Sequence, residues 1–287
     1  MLKLTRPLNL FLVTLTYLLG AGISTYLGKD IQLVPLILGF AIVIFAQISM
    51  SFLREVFRPH NEPLIKGETP QQKETLRNNL LYISIGLIGA VAGITYTLHL
   101  NFTLALPTIL FLLFLIIFVF LYSIPPFHLA NRGFGELILA VQIAYIVPSI
   151  AFLLQSDEIP RLLTALLIPL TSLALAYFLI LNFTTFQDDQ KYDRGTLLRR
   201  LTWERAVPLH HGLLAFAYIA FALALPFGFA LNIIAPAFLT LPFAIFQIFQ
   251  LRAIANGNPP NWKLLTSTAL MVFGLTAYFL VFTFWFR

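Results

Sequence analysis

Nine apolar stretches, each about as long as a helix needs to cross a bilayer, divide this sequence: roughly 8–28, 32–53, 79–98, 102–123, 134–155, 160–182, 207–228, 231–251 and 264–286. A hydrocarbon core of about 30 Å takes about 20 helical residues. Backbone groups in lipid must be satisfied within the segment, which leaves the α-helix as the fitting element. Only 10% of the residues are charged, against about 25% in soluble domains. The fold class expected is therefore all-α, a polytopic bundle of nine transmembrane helices forming one unit over residues 1–287. The first stretch is too long to read as a cleaved signal peptide.

Charge placement orients the bundle. Of the 18 Lys and Arg residues, 15 fall on the amino-terminal side; only Lys29, Arg161 and Arg287 fall on the other. Basic loops stay in the cytoplasm, so the amino terminus is expected there, and the carboxyl terminus opposite. The net charge of +6 is then a matter of topology and of contact with the bilayer, and nucleic acid is not an expected partner. The absence of cysteine removes disulfides, thiolate metal sites and a Cys nucleophile.

Two connections are long and polar, residues 54–78 and 183–206, both on the side expected to be cytoplasmic. Connections of that length tend to carry function. A third marked segment is "LYSIPPFHLANRGFGELILA". There Tyr122 ends a span, Pro125 and Pro126 stop the helix, and Glu136 sits just inside the next span. A carboxylate at that depth needs a partner or a polar cavity; Arg132, four residues earlier, is a local candidate, and a substrate is the other. Asn182 ends the sixth span, where an amide bonds across helices. His210 and His211 are adjacent, which points them about 100° apart on a helix; interfacial anchoring is the reading expected of them. No Gly-rich nucleotide loop and no metal-spaced His cluster is present. A transporter reading rests only on the Pro and Asn breaks near Pro226, Asn232 and Pro236.

The chain resembles the UbiA superfamily of membrane prenyltransferases over nearly its whole length. "LTRPLNLFLV" resembles the family's opening Arg-Pro, "NEPLIKG" the end of its first motif, "YSIPPFHLANRGFGE" its central segment, and "DDQKYDRGTLLRRL" its second motif. The resemblance implies transfer of a prenyl group from a prenyl diphosphate to a lipophilic acceptor. It also implies an isoprenoid diphosphate or other lipid as ligand, with Mg2+ held by carboxylates on the two polar loops. The motifs depart from that pattern. Aligning Asn61-Glu62-Pro63 with the family's Asn-x-Pro places Met50, Ser51, Arg54 and Arg58 where the family has Asn, Asp, Asp and Asp. In the second motif Thr185 stands at the first aspartate and Asp189 at the second, with Asp193 and Arg194 at the family's Gly and Lys.

From this resemblance the catalytic candidates are Asp189, Asp193 and Tyr122. The diphosphate-binding candidates are Arg54, Arg58, Asn61 and Lys66 on the first side, and Arg132, Asn182, Lys191 and Arg194 on the second. One Mg2+ ion at most is expected, on Asp188, Asp189 and Asp193, of which Asp189 and Asp193 share a face if the segment is helical. Two roles remain open for the arginines. Arg54 and Arg58 could grip the diphosphate directly. They could instead pair with Asp189 and Asp193 and close a pseudoenzyme that binds an isoprenoid lipid or a partner membrane protein without metal.

Overall fold

A computed structural model describes residues 4–59, 61–65 and 67–286 of the chain. Among these, nine helices are long and apolar enough to cross a membrane: α1 (Pro7–Tyr26), α2 (Leu33–Val56), α3 (Pro70–Phe102), α4 (Leu106–Ser123), α5 (Gly135–Leu153), α6 (Arg161–Lys191), α7 (Leu197–Ala224), α8 (Leu231–Ala255) and α9 (Trp262–Trp285). This is an all-α, integral, multi-pass membrane protein.

Several helices start where the sequence supplies a proline that needs no hydrogen-bond donor. Pro7 and Pro70 open α1 and α3, and Pro107 lies in the first turn of α4. Thr69 and Gln72 form a reciprocal capping box at the start of α3, which satisfies two orphan amides. This cap moves the start of α3 to Pro70, so the polar connection expected over 54–78 is helical in its second part. The connection expected over 183–206 is likewise mostly helix: α6 runs on to Lys191 and α7 begins at Leu197. Only residues 192–196 lie between them, although Thr202 (φ 63°) breaks α7 early. The polar stretches are thus largely helix ends that extend past the apolar spans.

Among the spans, α5 and α6 are the most buried and α3 the least. Helix α6 packs on α5, α7 and α9, while α1 packs on α5 and α9. The backbones of α1 and α5 approach closely at Gly20, where an added Cβ would stand 1.9 Å from the carbonyl oxygen of Pro148. Only glycine fits that contact. Polar side chains inside the bundle pair with one another: Gln142 donates to Gln47 at 3.2 Å, and the hydroxyls of Tyr218 and Thr240 lie 2.9 Å apart. His210 is fully buried rather than interfacial. It lies on the inward face of α7, so only His211, beside it, fits the anchoring role expected of both.

The sidedness from the charge split is open to a direct check. The chain has no cysteine of its own, and Gln72 and Asp157 are both exposed. Cysteines placed singly at these positions are expected to react with an impermeant thiol reagent from opposite sides of the membrane, Gln72→Cys from the cytoplasm. Labelling of both from one side contradicts the topology.

Candidate functional site

The ends of α1, α2, α4, α5 and α6 and the start of α7 meet at one end of the bundle around a cavity of about 320 Å3. That is at the small end of the range of about 300–1,000 Å3 typical of ligand pockets. Leu8, Leu139, Tyr177, Phe178 and Leu181 give it an apolar wall. Its polar end is built from Arg6, Arg54, Tyr122, Glu136, Asn182, Asp189 and Arg194.

Three guanidiniums reach this cavity from three parts of the chain. Arg6 caps α1 in a left-handed backbone conformation (φ 53°), and Arg54 lies in the last turn of α2. Arg194 lies between α6 and α7. The Tyr122 hydroxyl, at the end of α4, accepts from Arg6 Nη1 at 3.3 Å and from Arg54 Nη1 at 3.0 Å. Arg54 also lies 5.7 Å from the centroid of the Tyr122 ring. Arg54 has no carboxylate within ion-pair distance among the described residues. Its guanidinium is thus free of a direct ion pair, and an anion in the cavity could accept from it.

The other charges form a chain across the cavity mouth. Arg6 Nη2 lies 3.3 Å from Glu55 Oε1, and Arg58 pairs with Glu55. Arg58 Nη1 lies 2.9 Å from Glu62 Oε1. Arg194 donates from Nε to Glu62 Oε2 at 2.9 Å and from Nη1 to Asp189 Oδ1 at 3.0 Å. The remaining Asp189 oxygen, Oδ2, accepts from Thr185 at 2.9 Å. Glu62 and Asp189 are each only 1% exposed. Burial acts to lower the Arg194 pKa, but the hydrogen bonds and charges of Glu62 and Asp189 outweigh it and hold the guanidinium above its ordinary value. The chain links Arg58 and Glu62, after α2, to Arg194, after α6.

Gly195 seats this second segment. A Cβ there would stand 2.0 Å from the carbonyl oxygen of Asn131, so backbone meets backbone. Gly195→Ala is expected to push the segment outward, displace Arg194, and cost about 1–3 kcal/mol, as overpacking does. Thermal unfolding in detergent measures it, and an unchanged midpoint contradicts the close contact.

The structure regroups the residues expected from the sequence. Arg54, Tyr122, Asn182, Asp189 and Arg194 come together at the cavity. The metal set of Asp188, Asp189 and Asp193 does not. Helix α6 ends at Lys191 and Asp193 takes a left-handed φ of 53°, so the four-residue spacing no longer shares a face. Asp188 is exposed, and the Asp193 side chain, 90% exposed, pairs with Arg199 at 2.9 Å. Among the described residues no three His, Asp or Glu side chains are grouped to hold a metal. The pairing of Arg54 and Arg58 with Asp189 and Asp193 is also corrected: Arg54 meets Tyr122, Arg58 meets Glu55 and Glu62, and Asp189 meets Arg194. Arg58 borders a small polar recess next to the cavity, with Arg6, Arg54, Glu62 and Arg194. Arg132 is exposed and does not pair with Glu136, whose Oε1 instead accepts from Asn182 Nδ2 at 2.7 Å. Asn61 and Lys191 are exposed and line neither space. Lys66 lies outside the described residues.

Glu55, Glu62 and Arg6 are site residues that the sequence reading leaves out of its candidates, while Glu136 is singled out there with Arg132 or a substrate as its partner. A signal for two of them exists: Glu55 and Glu62 flank Arg58 at three and four residues, the spacings of helical ion pairs.

Comparisons with known proteins agree with this architecture. The model of the UbiA prenyltransferase family matches residues 72–273. A UbiA homolog from Archaeoglobus fulgidus bound to DMAPP and Mg2+ superposes with a TM-score of 0.68 at 15% identity, over 97% of this chain and 98% of that one. The structure of a UbiA homolog from the same organism bound to GPP and Mg2+ gives 0.63 at 18% identity, over 99% and 97%. A structure reported for digeranylgeranylglyceryl phosphate synthase in membranes gives 0.55 at 14% identity, over 98% and 97%. At these identities the likeness is one of fold. No curated protein matches the sequence.

Proposed function

This chain belongs to the UbiA prenyltransferase family, and from that premise we propose that it binds a prenyl diphosphate in the cavity at the end of the bundle and transfers the prenyl group to a lipophilic acceptor. The observation that carries the proposal is the convergence of Arg6 and Arg54, beside an Arg194 already paired with Glu62 and Asp189, on a cavity with an apolar wall. Guanidiniums bind phosphate oxygens in pairs of hydrogen bonds. The apolar wall suits the isoprenoid and keeps water from the reacting carbon. In the transfer the bond between the allylic carbon and the diphosphate oxygen breaks, and its electron pair leaves with the diphosphate. Positive groups already in place where that charge develops lower the barrier.

The relatives bound to DMAPP and GPP also hold Mg2+. The side chains of this cavity do not fit a pair of such ions. Mg2+ asks for oxygen ligands in an octahedron. Here both Asp189 oxygens are taken by Arg194 and Thr185, and one Glu136 oxygen by Asn182. The arginines therefore take the charge-neutralising part in this proposal.

The ion-pair chain over the mouth favours a second reading, in which the protein holds an isoprenoid lipid or a partner membrane protein without transfer. Purified protein in lipid nanodiscs, given radiolabelled geranyl or geranylgeranyl diphosphate and a membrane lipid extract, separates the two. Release of inorganic diphosphate together with a labelled, newly prenylated lipid supports transfer. Binding without release supports the non-catalytic reading, and no binding of either diphosphate overturns the proposal.

A further inference from the structure

We infer that the chain carries a second site, separate from the prenyl-transfer cavity, that holds a zwitterionic phospholipid by its ammonium headgroup. A cavity of about 560 Å3 lies between the first turns of α7, the end of α8 and the start of α9. It shares no lining residue with the cavity of the arginines. Trp203, Glu204 and Trp262 line it together. Tryptophans are common where helices meet the membrane surface, but here two of the chain's three border one space with a carboxylate. Both indoles are half-buried, so each is anchored and still presents surface. Trp203 is anchored by edge contacts with Phe183 and Phe186, their ring centroids 4.5 and 5.9 Å away. Glu204 accepts from the Thr202 hydroxyl at 3.2 Å and has no Lys or Arg within ion-pair distance among the described residues. Thr202 takes a φ of 63°, where a β-branched residue is strained, and such outliers gather at functional sites. That break turns the chain immediately before Trp203 and Glu204.

The chemistry of the lining selects the ligand. Indole rings attract ammonium groups through their negative faces, and an unpaired carboxylate beside them adds the counter-charge. Val207, Pro208 and Ile254 line the cavity as well and suit an acyl chain. Arg205 and Lys263, next in sequence to Glu204 and Trp262, are exposed and place positive charge beside the cavity for a phosphate. An anionic headgroup would meet those two cations, but it brings nothing to the indoles and sets its own charge against Glu204. A soluble amine would leave the apolar wall bare. A phospholipid with an ethanolamine or choline headgroup satisfies all of these groups at once.

The test is native mass spectrometry of the delipidated full-length protein in detergent, titrated with an equimolar mixture of phosphatidylethanolamine and phosphatidylglycerol of the same acyl chains. Wild type is expected to bind one phosphatidylethanolamine first, with a preference of about 5-fold or more, the size of cation–π contacts at an accessible site. Glu204→Gln changes shape little at an exposed position. It is expected to lower phosphatidylethanolamine affinity about 10-fold, the lower end for a charged hydrogen bond, and to leave phosphatidylglycerol unchanged or tighter. Trp262→Phe keeps a ring with a weaker face and is expected to lose part of the preference, which keeps the test open should Glu204→Gln not fold. Asp157→Asn, at an exposed acid outside the cavity, is expected to bind as wild type does. Equal binding of the two lipids by wild type, or an unchanged preference in folded Glu204→Gln and Trp262→Phe, overturns the inference. Binding of soluble glycerophosphoethanolamine as tight as that of the lipid overturns the assignment of the apolar wall to an acyl chain.

Discussion

Arg194→Ala is expected to destabilise the protein by about 3–5 kcal/mol, the cost of leaving a buried charge without its partner. Arg194 bridges Glu62 and Asp189, and both carboxylates are almost fully buried. Removing the guanidinium leaves the buried Asp189 held only by Thr185, and Glu62 with Arg58 as its remaining partner. The loss should be smaller in an Arg194→Ala, Glu62→Gln double variant than the two single losses added together, because residues of one network couple. Thermal or SDS-induced unfolding in detergent gives both numbers. A loss below about 1 kcal/mol is the size of an exposed surface pair, and it would mean that the chain of ion pairs does not hold the two loops together.

Arg54→Ala is expected to act on ligand rather than on stability. Prenyl diphosphate affinity should fall by about 1.5–3 kcal/mol, the worth of a charged hydrogen bond, or about 10- to 150-fold. Arg54 has Tyr122 as its hydrogen-bonded side-chain partner and no carboxylate within ion-pair distance among the described residues, so the fold loses little. Arg58→Ala should show the reverse. Its guanidinium is committed to Glu55 and Glu62, so stability falls while affinity changes less. Arg54→Lys keeps the charge but not the paired donors, and should lie between wild type and Arg54→Ala. Equal effects of Arg54→Ala and Arg58→Ala on affinity would contradict the division of roles.

The bundle was legible because lipid leaves the backbone few choices: nine apolar runs become nine helices among the described residues, with ends shifted by caps such as that of Thr69. The membership of the site was legible in part. Arg54, Tyr122, Asn182, Asp189 and Arg194 stand near the ends of the apolar runs or in the quoted motifs, and the fold gathers them. Their partners were not legible. Asp189 and Asp193 share a face only if the helix continues, and the turn at Asp193 ends it. Glu136 has a basic neighbour four residues away in sequence but bonds Asn182, 46 residues away. Arg6 meets Glu55 across 49 residues and Tyr122 across 116. Such pairings follow from how helices cross, which periodicity along one chain does not encode.

The central claim is that arginines, rather than metal ions on carboxylates, hold the diphosphate in this cavity. The affinity of wild-type protein for geranylgeranyl diphosphate, measured in nanodiscs with saturating Mg2+ and again with excess EDTA, tests it most directly. Because Mg2+ also binds the free diphosphate, each titration is corrected for the fraction of metal-bound ligand. The account predicts corrected affinities within about twofold of each other, and in EDTA a further large loss on Arg54→Ala. Binding that disappears in EDTA and returns with Mg2+ would contradict it.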